Sequence, residues 1–153
     1  MERGLVSLRE SAAHRDLLAE AVSCAAGSDG ELAVLWHLDD DQYEEDVQTL
    51  EAVGRIENVE YDHSTIVEGA AEDAQAFVES VAGEADLDVR IIVGVGSETA
   101  QAERILETAD EYGCDHVFVV GNARSPTGKA VFGDTAQQVI LGFDGFTTTK
   151  LAE

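Results

Sequence analysis

The sequence predicts an α/β protein: one doubly wound domain over residues 1–153, built on a five-stranded parallel sheet with helices on both faces. Two observations carry this expectation. Short, nearly continuous apolar runs alternate with amphipathic stretches of 10–20 residues in which apolar side chains recur at helical spacing. Runs of that kind suit strands covered on both faces, which is the environment of a parallel sheet. Right-handed crossovers between such strands wind the helices onto the two sides.

The elements follow in order. Leu5–Leu8 is a short strand, and Ser11 can cap the next helix by accepting from its free N–H groups. In that helix Leu17, Leu18, Ala21, Val22 and Ala25 share a face, and the Gly27–Gly30 stretch ends it. Glu31–Leu38 reads as a buried strand. Residues 39–64 are acidic, with Tyr43, Val47 and Leu50 suggesting a short helix. Around Thr65–Gly83 the stripe Val67, Ala70, Ala71, Ala74, Phe77, Val78 and Val81 marks a second long helix. Asp88–Val95 is the third strand, and Ser97 is expected to cap a helix carrying Ala102, Ile105, Leu106 and Ala109 inward, with Gly113 at its end. His116–Val120 is the fourth strand, Asp134–Leu141 the last helix and Gly145–Ala152 a Thr-rich fifth strand.

The formal charge of −23, from 32 acids against 9 bases, argues against phosphate-bearing nucleic acid and anionic membranes as partners. The acids are spread rather than confined to a tail: residues 1–76 hold 19 acids and 4 bases, residues 77–153 hold 13 and 5. A dispersed acidic surface almost without lysine suits high salt, where repulsion is screened within about 3 Å at 1 M. The source is therefore read as salt-adapted, a halophilic archaeon. No apolar run is long enough to span a membrane, the first residues lack a signal-peptide pattern, and Cys24 and Cys114 do not make a disulfide framework, so a cytoplasmic location is expected. The two cysteines read as buried thiols.

One window departs from the general acidity. The 18 residues from His116 to Gly133 contain no acid but include Arg124 and Lys129. Either the window suits an anionic ligand, or its acids are missing because His116–Val120 is a buried strand with no room for charge. The stretch Gly121–Thr135, which runs two residues past the window, follows a strand and opens a helix. Its glycines at 121, 128 and 133 allow close backbone approach, and the helix N-terminus presents N–H groups to an anion. Arg124 can fork onto phosphate oxygens and Lys129 can act as a point charge. The spacing is not that of a Walker A loop, since Gly128-Lys129 is followed by Ala130, and Gly94-Val-Gly96 is too short for a dinucleotide fingerprint. Ligands of such sheets bind beyond the carboxyl ends of the strands, so Ser7–Ser11, His37–Asp41 and Gly121–Thr135 are the candidate segments.

The stretch VGVGSETAQAERILETADEYGCDHVFVVG, the loop beginning at Gly121 and the glycine at 133 resemble the universal stress protein family, over nearly the whole chain and most strongly over 88–141. The resemblance implies the adenine nucleotide α-hydrolase-like, Rossmann-like fold. It also implies a stress-response regulatory role, a homodimer paired through the C-terminal strand, and in some members an adenine nucleotide such as ATP, with Mg, held by Gly-x-x-Gly, about nine residues, then Gly-Ser/Thr. On that model Val120 and Leu35 wall the base, Ser7 and Leu8 lie beneath it, and Gly121, Arg124, Gly128, Lys129 and the Gly133-Asp134-Thr135 terminus hold phosphates. Three positions depart from the family. Its second glycine falls at Arg124, and Asp134 stands where the family has a hydroxyl. Its post-strand Pro-x-Asp-Gly-Ser reads Ser7-Leu8-Arg9-Glu10-Ser11, with Arg9 for the aspartate. Arg9 can reach an anion or pair with a neighbouring acid. Asp134 can repel phosphate or cap the helix.

The remaining candidates have plainer readings. His14, His37, His63 and His116 show no metal-ligand spacing, and no metal site is expected. His37 can line a pocket or face solvent, and Asp39–Asp41 can hold a cation or be a solvated loop. Trp36 and Phe132 can stack on a base but suit the core. No nucleophile has a base assigned by spacing, so no catalytic residue is expected. A nucleotide-binding regulator and a homologue acting only through protein contacts both remain open, with a nucleotide-using enzyme third.

Overall fold

A strand that is apolar throughout must be covered on both sides, and that requirement organises the computed structural model of this chain. The elements are β1 (Arg3–Leu8), α1 (Ala12–Ser28), β2 (Glu31–Asp39), a helical stretch α2 at residues 43–49, α3 (His63–Ala82) and β3 (Val89–Gly96). A 3-10 turn (Glu98–Ala100) then leads into α4 (Gln101–Glu111), β4 (His116–Asn122), α5 (Asp134–Gly142) and β5 (Phe146–Ala152). The structure describes residues 1–39, 43–49, 52, 63–83, 85–122 and 134–152.

All five strands are parallel, in the order β3-β2-β1-β4-β5. The chain builds outward from β1 in one direction, then returns to β1's other side with β4. The order therefore reverses between β1 and β4, and the carboxyl ends of these two strands flank the crevice where such folds bind ligands. Two cores lie against the sheet. Val6, Leu8, Val34, Trp36 and Phe118 pack with α1 and α3 on one face. Leu5, Leu35, Val117 and Val119 pack with Ala102, Ile105 and Ala109 of α4 and with Ala136 and Val139 of α5 on the other. Successive residues of one strand thus feed opposite cores, as the two-residue period of a strand requires.

Local chemistry explains the boundaries. Ser11 caps α1, its Oγ accepting from His14 N–H at 3.1 Å. The turn after α1 is made by Asp29, in the left-handed region at φ 55°, rather than by either glycine beside it. At the start of α4 the expected Ser97 cap is replaced: Ala100 occupies the cap position with no side-chain hydrogen bond, and Ser97 Oγ pairs with Thr99 Oγ1 at 3.0 Å. The 3-10 turn tightens this entry instead. Asp115 ties the start of the chain to β4, accepting from the N–H groups of Glu2 at 3.0 Å and Arg3 at 3.3 Å. Cys24 and Cys114 are free thiols and only half-buried, against the expectation of buried ones. No helix among the described residues is long and apolar enough to cross a membrane.

Candidate functional site

The carboxyl edge of β1, β2 and β3 carries an unusual set of side chains. Ser7 and His37 both project toward the α4 face, where Ser7 Oγ and His37 Nε2 share a buried hydrogen bond of 2.7 Å. His37 is 8 % exposed, which resolves its reading: it belongs to the interior, not to a solvent-facing strand end. Beside it, Gly94 of β3 is its register partner. Arg104 reaches from α4 across this part of β3. A Cβ at Gly94 would lie 3.4 Å from Arg104 Nε, and one at Gly96 would run into Arg104 Nη1. The two glycines therefore make the berth for this arginine. Arg104 Nη2 donates to the Ser97 carbonyl at 3.2 Å. One turn back on α4, Gln101 Oε1 accepts from Arg9 Nη2 at 3.2 Å, which brings the residue after β1 into the same group.

Two buried atoms in this group, His37 Nδ1 and Arg104 Nε, have no hydrogen-bond partner among the described residues. A buried donor or acceptor left unmade typically costs about 1–3 kcal/mol. Burial, then the charges of Arg104, Arg9 and His14, push His37 down to about 3. The ring is neutral at ordinary pH, with one nitrogen able to donate and one to accept. His14 is likewise pushed down to about 4 by burial and by Arg9.

A cleft of about 740 Å³ opens over the ends of β1 and β2 toward α3. Trp36, Leu38, Ile66 and Ala70 give it apolar surface, Glu10, Asp46, Glu68, Glu72 and Asp73 line it with carboxylates, and Arg9 and His37 line it too. Its volume is within the range of small-molecule sites. A smaller cleft of about 360 Å³, around Arg3, Glu31, Arg90 and Tyr112, lies at the amino edge of the strands, away from the ligand-binding edge of such sheets.

The structure sorts the residues proposed for a nucleotide. Leu8 is 0 % and Leu35 1 % exposed, in opposite cores, so neither is a free wall of a pocket. Val120 is half-buried against the same core as Leu8, and Trp36 is core, as expected. Ser7 lies beneath His37, while Gly121 is buried beside Leu151 of β5. Asp134 is the first residue of α5 and Thr135, half-buried, the second. Arg124, Gly128, Lys129 and Gly133, with Asp40, Asp41 and Phe132, lie outside the described residues. What the fold brings together at one edge is Ser7, Arg9, Gly121 and the start of α5. Sequence reasoning missed Gln101 and Arg104. The available signal was Gly94-Val-Gly96 at the end of a strand, set aside as too short a fingerprint, whose small residues admit an arginine from the next helix.

An all-parallel sheet whose order reverses between β1 and β4 places the molecule in the adenine nucleotide α-hydrolase-like class of α/β folds. Within that class, the model of the universal stress protein family matches residues 2–144, and the chain belongs to that family. None of the curated proteins matches its sequence. Among solved structures, a universal stress protein from Archaeoglobus fulgidus is similar, with TM-score 0.66 and 18% identity over 97% of this chain and 98% of its own. A second structure, a universal stress protein in complex with cAMP, has TM-score 0.61 and 16% identity, covering 98% of this chain and 96% of its own. A third, a universal stress protein from Archaeoglobus fulgidus in complex with dAMP, has TM-score 0.62 and 14% identity, covering 97% of both chains.

Proposed function

We propose that this chain is a single-domain stress-response regulator that binds an adenine nucleotide at the carboxyl edge of the sheet, with Mg and ATP as the fullest form of the ligand. The observation that carries the reading is the reversal between β1 and β4. It brings the carboxyl end of β4 and the start of α5 to the same sheet edge as the ends of β1 and β2, and in sequence those two points are joined by the acid-free stretch with Arg124 and Lys129. Two fold relatives are described as complexes with cAMP and dAMP, which supports the same ligand class here. Phosphates would lie against Gly121, Arg124, Gly128, Lys129 and Gly133–Thr135. The base would use the apolar surface of Trp36, Leu38 and Ile66 rather than Leu8 or Leu35, which are enclosed.

The chain acts in the cytoplasm of a salt-adapted organism, as a homodimer joined through β5. That strand lies at a sheet edge, and Phe146 on it and Leu141 of α5 are 73 % and 79 % exposed. The same exposed residues favour a second reading, in which the protein has lost nucleotide and works through protein contacts; Arg9 and Asp134 fit it as well. Melting in molar KCl with ATP, with and without Mg, separates the two. Saturating nucleotide at about 100 times its dissociation constant raises stability by about 2.7 kcal/mol. No shift at millimolar ATP supports the protein-contact reading instead.

A further inference from the structure

We propose that the group formed by Arg9, His37, Gln101 and Arg104 binds a tetrahedral oxyanion, a phosphoryl or sulfuryl group, at a site separate from the loop after β4. The inference goes beyond the nucleotide reading and stands without it. Its first support is the pair of unpartnered buried atoms, Nδ1 of His37 and Nε of Arg104, in one cluster at the end of β2 and β3. His37 is more than nine-tenths buried, and its other nitrogen is fixed by Ser7. An anion selects the tautomer in which Ser7 Oγ–H donates to Nε2, leaving Nδ1–H as a donor.

The second support is charge. In a chain of 32 acids and 9 bases, two arginines converge on one ring. Arg104 has no carboxylate within ion-pair distance among the described residues, and its guanidinium donates to a backbone carbonyl. A partly buried guanidinium held on a carbonyl, with one N–H unmade, lacks the charge-assisted acceptor that such a group takes best. Shape decides the anion. The donors come from the end of β1, the end of β2 and α4, three elements that do not share a plane. A tetrahedral group meets such donors better than a flat carboxylate does. Arg9 and His37 also line the 740 Å³ cleft, where Glu10, Asp46, Glu68, Glu72 and Asp73 oppose an entering anion; at 1 M salt that repulsion is screened within about 3 Å.

The test is NMR of the His37 ring nitrogens on the intact chain, in molar KCl and a buffer without oxyanions. Inorganic phosphate, sulfate, AMP and acetate are titrated separately. The expected result is a saturable shift of the ring signals with phosphate or sulfate, and a weaker one with acetate. Arg104→Gln should weaken phosphate binding about tenfold or more, and Arg104→Lys, which keeps the charge but loses the Nε donor, should recover only part of it. Arg104 is only half-buried, so both variants should fold, and melting checks this. Gly133→Val, which blocks the loop after β4, should leave the phosphate response intact. A response to AMP without one to phosphate or sulfate reports a nucleotide in the adjoining cleft and overturns the separate oxyanion site. Ring signals that respond to none of the oxyanions, or equally in wild type and Arg104→Gln, overturn the proposal and leave water as the occupant.

Discussion

His37 shows what a single residue contributes. With its pKa pushed down to about 3, the folded ring stays neutral where the unfolded one, near 6.5, takes up a proton. The unfolded state therefore binds more protons through the window from about 6.5 down to 3. Stability from this group is complete above that window and is lost as pH falls through it, by up to about 1.4 kcal/mol per unit. Acidification also relieves repulsion in a chain of charge −23, which opposes the loss. The difference between wild type and His37→Asn isolates the histidine. Denaturant unfolding at pH 6 and pH 4 should show wild type losing about 2–3 kcal/mol more than the variant. Equal losses would mean that the ring is not held neutral. The sequence put Ser7, Arg9 and His37 at candidate strand ends, but the buried, neutral state of His37 was not legible in it. Ser7, His37 and Arg104 gather only through sheet register, and Arg9 meets Gln101 across 92 positions.

At the scale of elements, the sequence was most informative where one physical cause dominated. The inner strands were legible because burial on both faces leaves no polar alternation to confuse, and β1 and β2 run buried almost end to end, whereas the half-exposed edge strand β5 was legible from its threonines. Helix starts were legible where a side chain does the capping and not where the backbone does. Ser11 caps α1 as its position suggests, whereas α4 opens through a 3-10 turn that leaves Ser97 bonded to Thr99. Substituting Ser11→Ala should cost about 1 kcal/mol. In thermal unfolding that is a drop of about 2–4 °C for a domain of this size. Ser97→Ala should change the melting temperature little, because no helix N–H depends on its Oγ. A larger loss for Ser97 than for Ser11 would contradict the assigned caps.

The whole molecule answers to its charge and its edges. A net charge of −23 on 153 residues repels itself over about 10 Å at 0.1 M salt but only about 3 Å at 1 M. Unfolding followed as KCl is lowered should show a steep loss of stability. Undiminished stability in dilute buffer would remove the argument for a salt-adapted source. Size-exclusion chromatography in molar KCl should give a dimer, and Phe146→Asp should shift it to a monomer, since Phe146 begins the exposed edge strand. A wild-type monomer would exclude pairing through β5. The sheet order itself could not be read from composition or spacing. The same elements can be wound in other orders, and only the pairing of β1 with both β2 and β4 sets the crevice where it is.

The central claim is that this crevice holds an adenine nucleotide. Equilibrium dialysis of ATP against the intact protein in molar KCl and Mg, with Gly133→Val alongside, tests it most directly. The account predicts saturable binding of one nucleotide per chain in wild type and its loss in Gly133→Val, where a side chain bars the backbone from the phosphates. Absence of binding in wild type, or undiminished binding in the variant, would contradict it.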